Sequence, residues 1–239
     1  MAYGLTQSLD IEKSSTQVAT RADDTLFDLG NTYTIEAWVK AESLPADNNT
    51  NAIVGKWQTS GNNRSFVFGL SNASGVYNLR AVHDADGSVG GASVSLSDSF
   101  SIATATWYHI AIVLDSGVTQ FYVDGVDFGG GDNIGTPFNG SSTINIGAER
   151  ADGTDGWDGT ISLVRVWKGV ARTQAQIADN ACEVLGSTTG LSAEWTLNGT
   201  YADNSGNGFT LTPVDSPVFV TDVPSVCTTA NTSNFFLVM

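Results

Sequence analysis

Apolar and polar positions alternate with a period of two along most of the chain. Residues 33–40 read YTIEAWVK, which puts Tyr33, Ile35, Ala37 and Val39 on one face and Thr34, Glu36, Trp38 and Lys40 on the other. Successive side chains of a strand point to opposite faces, so the pattern predicts a half-buried strand. Residues 65–70 alternate Phe66, Phe68 and Leu70, and residues 76–82 alternate Tyr77, Leu79 and Ala81. Residues 107–115 and 119–124 are predicted to form a hairpin, with Asp115-Ser116-Gly117 as its turn and Asp124-Gly125 opening the next one. Further strands are predicted at 143–147, 160–167, 191–197 and 209–212, for ten or more in all.

One helix is predicted, starting after Arg172. Thr173 and Gln176 match a capping box, and Ile177, Ala181 and Val184 supply an apolar stripe. A single short helix among many strands means an all-β chain. With no Pro- or Gly-rich linker and no fixed-period repeat, the chain reads as one sandwich domain over residues 4–226. Residues 227–239 follow as a tail, and its apolar end, Phe235 to Met239, is expected to be a final strand or a docking segment.

Composition narrows the partners. The 239 residues are 41% hydrophobic and 15% charged, enough apolar material for a core and too little charge for disorder. Ten Lys and Arg against 25 Asp and Glu leave a formal charge of −15, which repels phosphate backbones and anionic headgroups. Nucleic acid and membrane insertion are therefore not expected. Every basic residue lies at or before Arg172, and the excess favours solubility, cation binding or a basic partner. The start has neither a basic region nor an apolar run of the signal-peptide kind, and no stretch approaches the roughly 20 apolar residues of a spanning helix. Cys182 and Cys227 fit either one disulfide or two free thiols, and with His83 and His109 they show no zinc spacing.

Several segments, taken in order, resemble the laminin G-like branch of the concanavalin A-like lectin/glucanase jelly rolls. They are SLDIEK at 8–13, YTIEAWVK at 33–40, IVGKW at 53–57, WYHIAIVLDSGVTQFYVDGV at 107–126, WDGTISLVRVWKGVARTQAQIADN within 145–180, and LSAEWTLNGTYADNSGNGFT at 191–210. The resemblance covers most of the chain. It implies an all-β, two-sheet antiparallel jelly-roll sandwich with one flat or convex sheet and one concave. Function does not follow from such a fold, whose members include lectins, glycan hydrolases, adhesion modules and virion fibre or decoration domains.

The resemblance also says what to look for. Glucanases of this fold carry a Glu-x-Asp-x-Glu strand, and this chain lacks it. Its nearest approach is Asp10-Ile11-Glu12, which reads as edge-strand charge or cation ligands, while Glu36 stands alone on its strand. His109 has no nucleophile spaced to it and reads as a core or edge histidine. No catalytic residue is assigned.

Calcium is the candidate cofactor, because Asp- and Asn-rich turns bring hard oxygens together. Asp203 and Asn207 lie in the turn DNSGN that matches the family's, and Asp155 and Asp158 lie in DGTDGWDG. The same residues also simply make turns. Among the tryptophans, Trp107, Trp167 and Trp195 match core-closing positions of the family. Trp57 and Trp157 are expected to be exposed sugar platforms, and Trp38, a third ligand-binding candidate turned away from the apolar stripe, is expected to line the concave face or be covered by the helix after Arg172.

The expected function is a non-catalytic binding or structural module on a virion or extracellular surface, as a decoration, fibre or adhesion subunit. Its partner would be a glycan or a protein, with a homo-oligomer or assembly through the tail also expected. The alternatives are a soluble lectin working through Trp57, Trp157 and the Asp-rich loops, and a glycoside hydrolase using Asp10 and Glu12.

Overall fold

The computed structural model describes residues 4–228 and is all-β, with two antiparallel sheets. Its fifteen strands are β1 (Ser8–Ile11), β2 (Val18–Arg21), β3 (Tyr33–Ala41), β4 (Asn49–Gln58), β5 (Asn63–Ala73), β6 (Val76–Asp84), β7 (Ala92–Leu96), β8 (Trp107–Asp115), β9 (Val118–Val123), β10 (Val126–Asn133), β11 (Ile144–Ile146), β12 (Gly159–Lys168), β13 (Leu191–Trp195), β14 (Thr212–Val214) and β15 (Val218–Val220). The one α-helix among the described residues, α1 (Gln174–Asp179), follows β12.

Eight strands form one sheet in the order β10-β9-β8-β3-β12-β1-β15, with β13 also on β12. The other sheet runs β14-β2-β11-β4-β5-β6-β7. The alternation explains how they meet. Ile35, Val39, Ile110, Ile112 and Leu114 of the first sheet and Phe66, Phe68, Leu70 and Leu79 of the second share one buried cluster. Phe68 faces Phe121 across the sandwich at 6.5 Å between ring centres, and Tyr33 faces Phe66 at 6.2 Å. Offset aromatic pairs at such spacings add to the area they bury.

The hairpin lies where the alternation put it: β8 spans the expected residues, and Ser116 and Gly117 take φ of 52° and 88°. Two consecutive left-handed residues are what a type I′ turn requires, and Asp124 (φ 50°) and Gly125 (φ 74°) repeat the device between β9 and β10. The capping box also forms. Thr173 Oγ1 accepts the Gln176 N–H and Gln176 Oε1 accepts the Thr173 N–H.

Three expectations need correction. The helix stops at Asp179, so Ala181 and Val184 are not on its stripe and pack instead beside Leu5, Trp38, Leu163 and Cys227. Residues 209–212 are not one strand. Phe209 is buried in the core outside any strand, and the strand starts at Thr212. Cys227, expected to begin a tail, is fully buried, bonded to Cys182 45 residues earlier, and its carbonyl accepts the Leu5 N–H. Phe235 to Met239, the expected docking segment, lies outside the described residues.

Candidate functional site

The outer face of the eight-stranded sheet carries charge where an exposed face would carry solvent. Register explains the grouping. Arg165 on β12 pairs across to Glu36 on β3 and to Glu194 on β13, so three ionisable side chains stand side by side on adjacent strands. Arg165 Nε donates to Glu194 Oε1 at 2.9 Å and its Nη1 to Glu36 Oε2 at 3.3 Å. Its Nη2 donates to the carbonyls of Asn180 (3.0 Å) and Glu183, beyond α1. Arg172 Nη1 donates to Glu36 Oε1, and its Nη2 reaches the Gln176 carbonyl at 2.9 Å. Glu36, Arg165 and Glu194 are 0% exposed. Two carboxylates and two guanidiniums make the group neutral, which is the condition for burying it.

His109 borders this network. Its Nε2 lies 3.6 Å from Glu36 Oε2, and its ring is tilted against Trp38 at 5.2 Å between centres. Neither ring nitrogen has a hydrogen-bond partner. Burial pushes its pKa down to about 4; Glu36 opposes that shift, and Arg165 and Arg172 add to it. The imidazole is therefore neutral at pH 7.

Above His109 opens a cleft of about 870 Å³. Trp38, Trp107 and His109 form its sheet side. The β9–β10 turn gives Asp124 and Gly125, the end of α1 and the chain after it give Ala178, Asp179 and Glu183, and a last wall is Pro224 to Val226. The Cys182–Cys227 disulfide joins the last two walls. Both indoles are fixed: Trp38 Nε1 donates to the Ala181 carbonyl at 2.7 Å and Trp107 Nε1 to Asp222 Oδ1 at 3.0 Å. Asp124 is held by exchange with His109, accepting its N–H at 2.8 Å through Oδ1 and donating its own N–H to the His109 carbonyl at 2.7 Å. Volume, aromatic surface and fixed polar groups match those of a ligand site.

Of the sequence-predicted platforms, only Trp38 lies in this cleft. Trp157 is 1% exposed and sits in the main core, so it offers no face to a sugar. The Asp-rich loop folds inward there, with the Trp157 N–H donating to the Gly147 carbonyl. Trp57 is 9% exposed and packs with Ala52, Val67 and Val82, away from the cleft. Trp107, read as core-closing, is half-buried and lines the cleft. Its signal was present in the alternation, since Trp107 shares a strand face with His109 and not with Ile110.

The candidate calcium residues are dispersed. Asp203 Oδ1 accepts the N–H groups of Glu194 and Ser205, and its Oδ2 accepts Ser205 Oγ and the Phe209 N–H, all at 2.8–3.0 Å. Asn207 turns its Nδ2 toward the carbonyls of Leu191 and Ser192. This is the donor set of a turn, and it does not fit a calcium ion, which would have to displace those bonds. Asp158 accepts the Lys13 N–H and Ser43 Oγ, while the Asp155 carbonyl accepts the Ala52 N–H. Among the described residues no three His, Cys, Asp or Glu side chains form a metal-binding group. Asp10, on β1, has its carboxyl pushed up by burial and by Asp158, with Lys40 opposing.

Comparison with known proteins gives the context. A family model described as the concanavalin A-like lectin/glucanases superfamily, of Laminin G type, matches residues 12–178. No curated protein matches the chain. Among solved structures, a protein of Bacteroides ovatus to which carbohydrate binding has been ascribed is similar at 22% identity and a TM-score of 0.68, over 91% of this chain. This chain spans only 60% of that protein's length. The CBM40 module of a Ruminococcus gnavus IT-sialidase, bound to α2,3-sialyllactose, is similar at 14% identity and a TM-score of 0.54, over 74% of this chain and 98% of the module. The enzymatically active domain of tailspike protein 2 of bacteriophage CBA120 is similar at 15% identity and a TM-score of 0.51, over 84% of this chain and 34% of that one. At these identities the likeness is one of fold.

Proposed function

We propose that this chain, which belongs to the concanavalin A-like lectin/glucanases superfamily, is a non-catalytic glycan-binding module displayed on an outer surface, in the finer reading that of a virus particle. The observation that carries it is the cleft. Sugars stack their C–H faces on indoles and hydrogen-bond their hydroxyls to fixed carboxylates, and Trp107 beside Asp124 offers both on the rigid end of a hairpin. The carbohydrate-binding descriptions of two structural neighbours support the glycan reading, and the tailspike supports the virion setting. Glu36 and Glu194 are enclosed in ion pairs, which suits a structural role better than proton transfer to a sugar.

The test is a glycan array probed with the intact protein and with Trp107→Ala, each with and without calcium. Binding to a defined glycan class that Trp107→Ala abolishes is expected. No binding, or binding that the substitution leaves untouched, overturns the assignment to this cleft. A second reading, hydrolysis at Asp10 and Glu12, draws on the raised Asp10 carboxyl. Polysaccharide turnover by the intact chain that survives in an Asp10→Asn, Glu12→Gln variant removes it, as does the absence of turnover.

A further inference from the structure

We propose that the chain carries a second sugar site, independent of the cleft, that takes a single pyranose unit bearing a carboxylate, as in a uronic acid. A smaller pocket of about 260 Å³ opens where Lys168, the last residue of β12, meets the start of β13 and the turn beyond it. Lys168 pairs with Tyr33, five residues along β3 from Trp38, which sets the pocket about 17 Å from the floor of the cleft at roughly 3.3 Å per residue. Its volume equals about nine waters' share of the liquid, room for one pyranose ring with its substituents and not for a chain of them.

The lining supplies what such a unit needs. Lys168 is the one ionisable side chain among the described residues of the lining, and it makes no ion pair with any described residue. An ammonium has three N–H donors, and Lys168 Nζ uses one on the Thr25 carbonyl at 2.6 Å. The charge of −15 on the chain repels anions at long range, but exposed charges beyond about 8 Å are screened at physiological salt, so Lys168 sets the local sign. Asn207 commits its Nδ2 to the carbonyls of Leu191 and Ser192, and no described residue donates to its Oδ1, which stays an acceptor for a sugar hydroxyl. Ser192, 1% exposed, adds a hydroxyl with no protein partner. Buried polar groups are seldom left unmet, and one in a polar pocket marks a place for a further hydrogen-bonding group. The lining is also fixed: Asp203 ties the turn through four hydrogen bonds, and the Lys168 N–H donates to the Gly190 carbonyl at 2.8 Å. Groups already held in place lose little freedom on binding.

The experiment is an NMR titration of the isotopically labelled whole protein with the methyl glycosides of galacturonic and glucuronic acid. The corresponding neutral galactoside and glucoside, which carry a hydroxymethyl group in place of the carboxylate, serve as comparison. A uronide is expected to bind in the millimolar range, on the order of fivefold tighter than its neutral counterpart, and to shift the amides of Gly190, Ser192 and Asn207. Lys168→Met should remove the preference for the acid and Lys168→Arg should retain it, which separates loss of charge from loss of packing. No shift with either uronide, equal binding of the neutral sugar, or a preference that survives Lys168→Met overturns the proposal. So does acetate that displaces the uronide at equal concentration, which would leave an adventitious ion only. Shifts confined to His109 and Asp124 would return the sugar to the cleft, overturning the second site with the cleft reading intact. Shifts at the pocket together with a blank glycan array support the second site and remove the cleft reading.

Discussion

Replacing Arg165 by Met tests whether the buried charge layer holds the site together. The substitution keeps much of the aliphatic stem and deletes a guanidinium that is 0% exposed and donates to two carboxylates and two carbonyls. The two acids are not left equally exposed to the loss. Glu36 retains Arg172, whereas Glu194 retains only the backbone N–H groups of Leu185 and Gly186. Removing one member of a buried ion pair costs about 3–5 kcal/mol, because the remaining charge is uncompensated in a medium that solvates it poorly. Against a typical total of about 5–15 kcal/mol, that is a large share. Urea denaturation at pH 7, followed by tryptophan fluorescence, should show the midpoint falling with little change in slope. Adding Glu194→Gln to Arg165→Met neutralises the stranded carboxylate and should restore about 1 kcal/mol or more. A single variant within about 1 kcal/mol of the parent, or a double variant no better than the single, would refute the reasoning.

Other expectations follow from groups outside that layer. Burial holds the pKa values of His83 and His109 at about 4, below the unfolded value of 6.5. Between those values the unfolded chain binds the protons, so stability should fall by about 3 kcal/mol per histidine as pH drops from 6.5 to 4. Asp10 and Glu149, raised mainly by burial, act in the opposite sense at acid pH and offset part of the loss. A flat denaturation midpoint across that window would contradict the histidine assignment. Reducing the Cys182–Cys227 disulfide, with its separation of 45 residues, should cost about 4 kcal/mol on chain-entropy grounds, read as a lower melting temperature in reductant. Gly159→Ala should destabilise by about 3 kcal/mol or more: φ is +128°, and a Cβ would lie 2.3 Å from the Lys40 carbonyl oxygen. Thr173→Ala, which removes the α1 cap, should cost about 1 kcal/mol in the same assay.

The alternation made the fold readable wherever one face of a strand met the core, as in β3 and β8. It misled or was mute where a strand lies at a sheet edge. β7, an edge strand, alternates as ASVSL but with its apolar residues exposed and Ser95 buried, and β10, with three consecutive glycines, has no periodic signal to mark it. The candidate site was less readable still. Glu36 looked solitary because its partners, Arg165 and Arg172, come 129 and 136 positions later, and Arg165 meets it only through the β3–β12 register. Trp157 looked exposed because its neighbours are Asp and Gly, yet the loop turns it inward. Local composition reports the loop's conformation and not the direction of one large side chain.

The polar layer and the cleft are consequences of one another. A sheet face bearing Glu36, Arg165, Glu194 and His109 can be buried only if something covers it and satisfies the surplus donors, and α1 with the chain to Glu183 does both, through the Asn180 and Glu183 carbonyls. That cover is short. It leaves the β8 end of the sheet, with Trp107 and the edge of Trp38, beyond its reach, and the disulfide sets the far wall opposite. The opening is therefore the residue of an incomplete lid on a rigid sheet, and its shape depends on groups that never touch a ligand. Arg165→Met and disulfide reduction should weaken binding at the cleft as well as stability, whereas disturbing Trp57 on the other sheet should change stability alone.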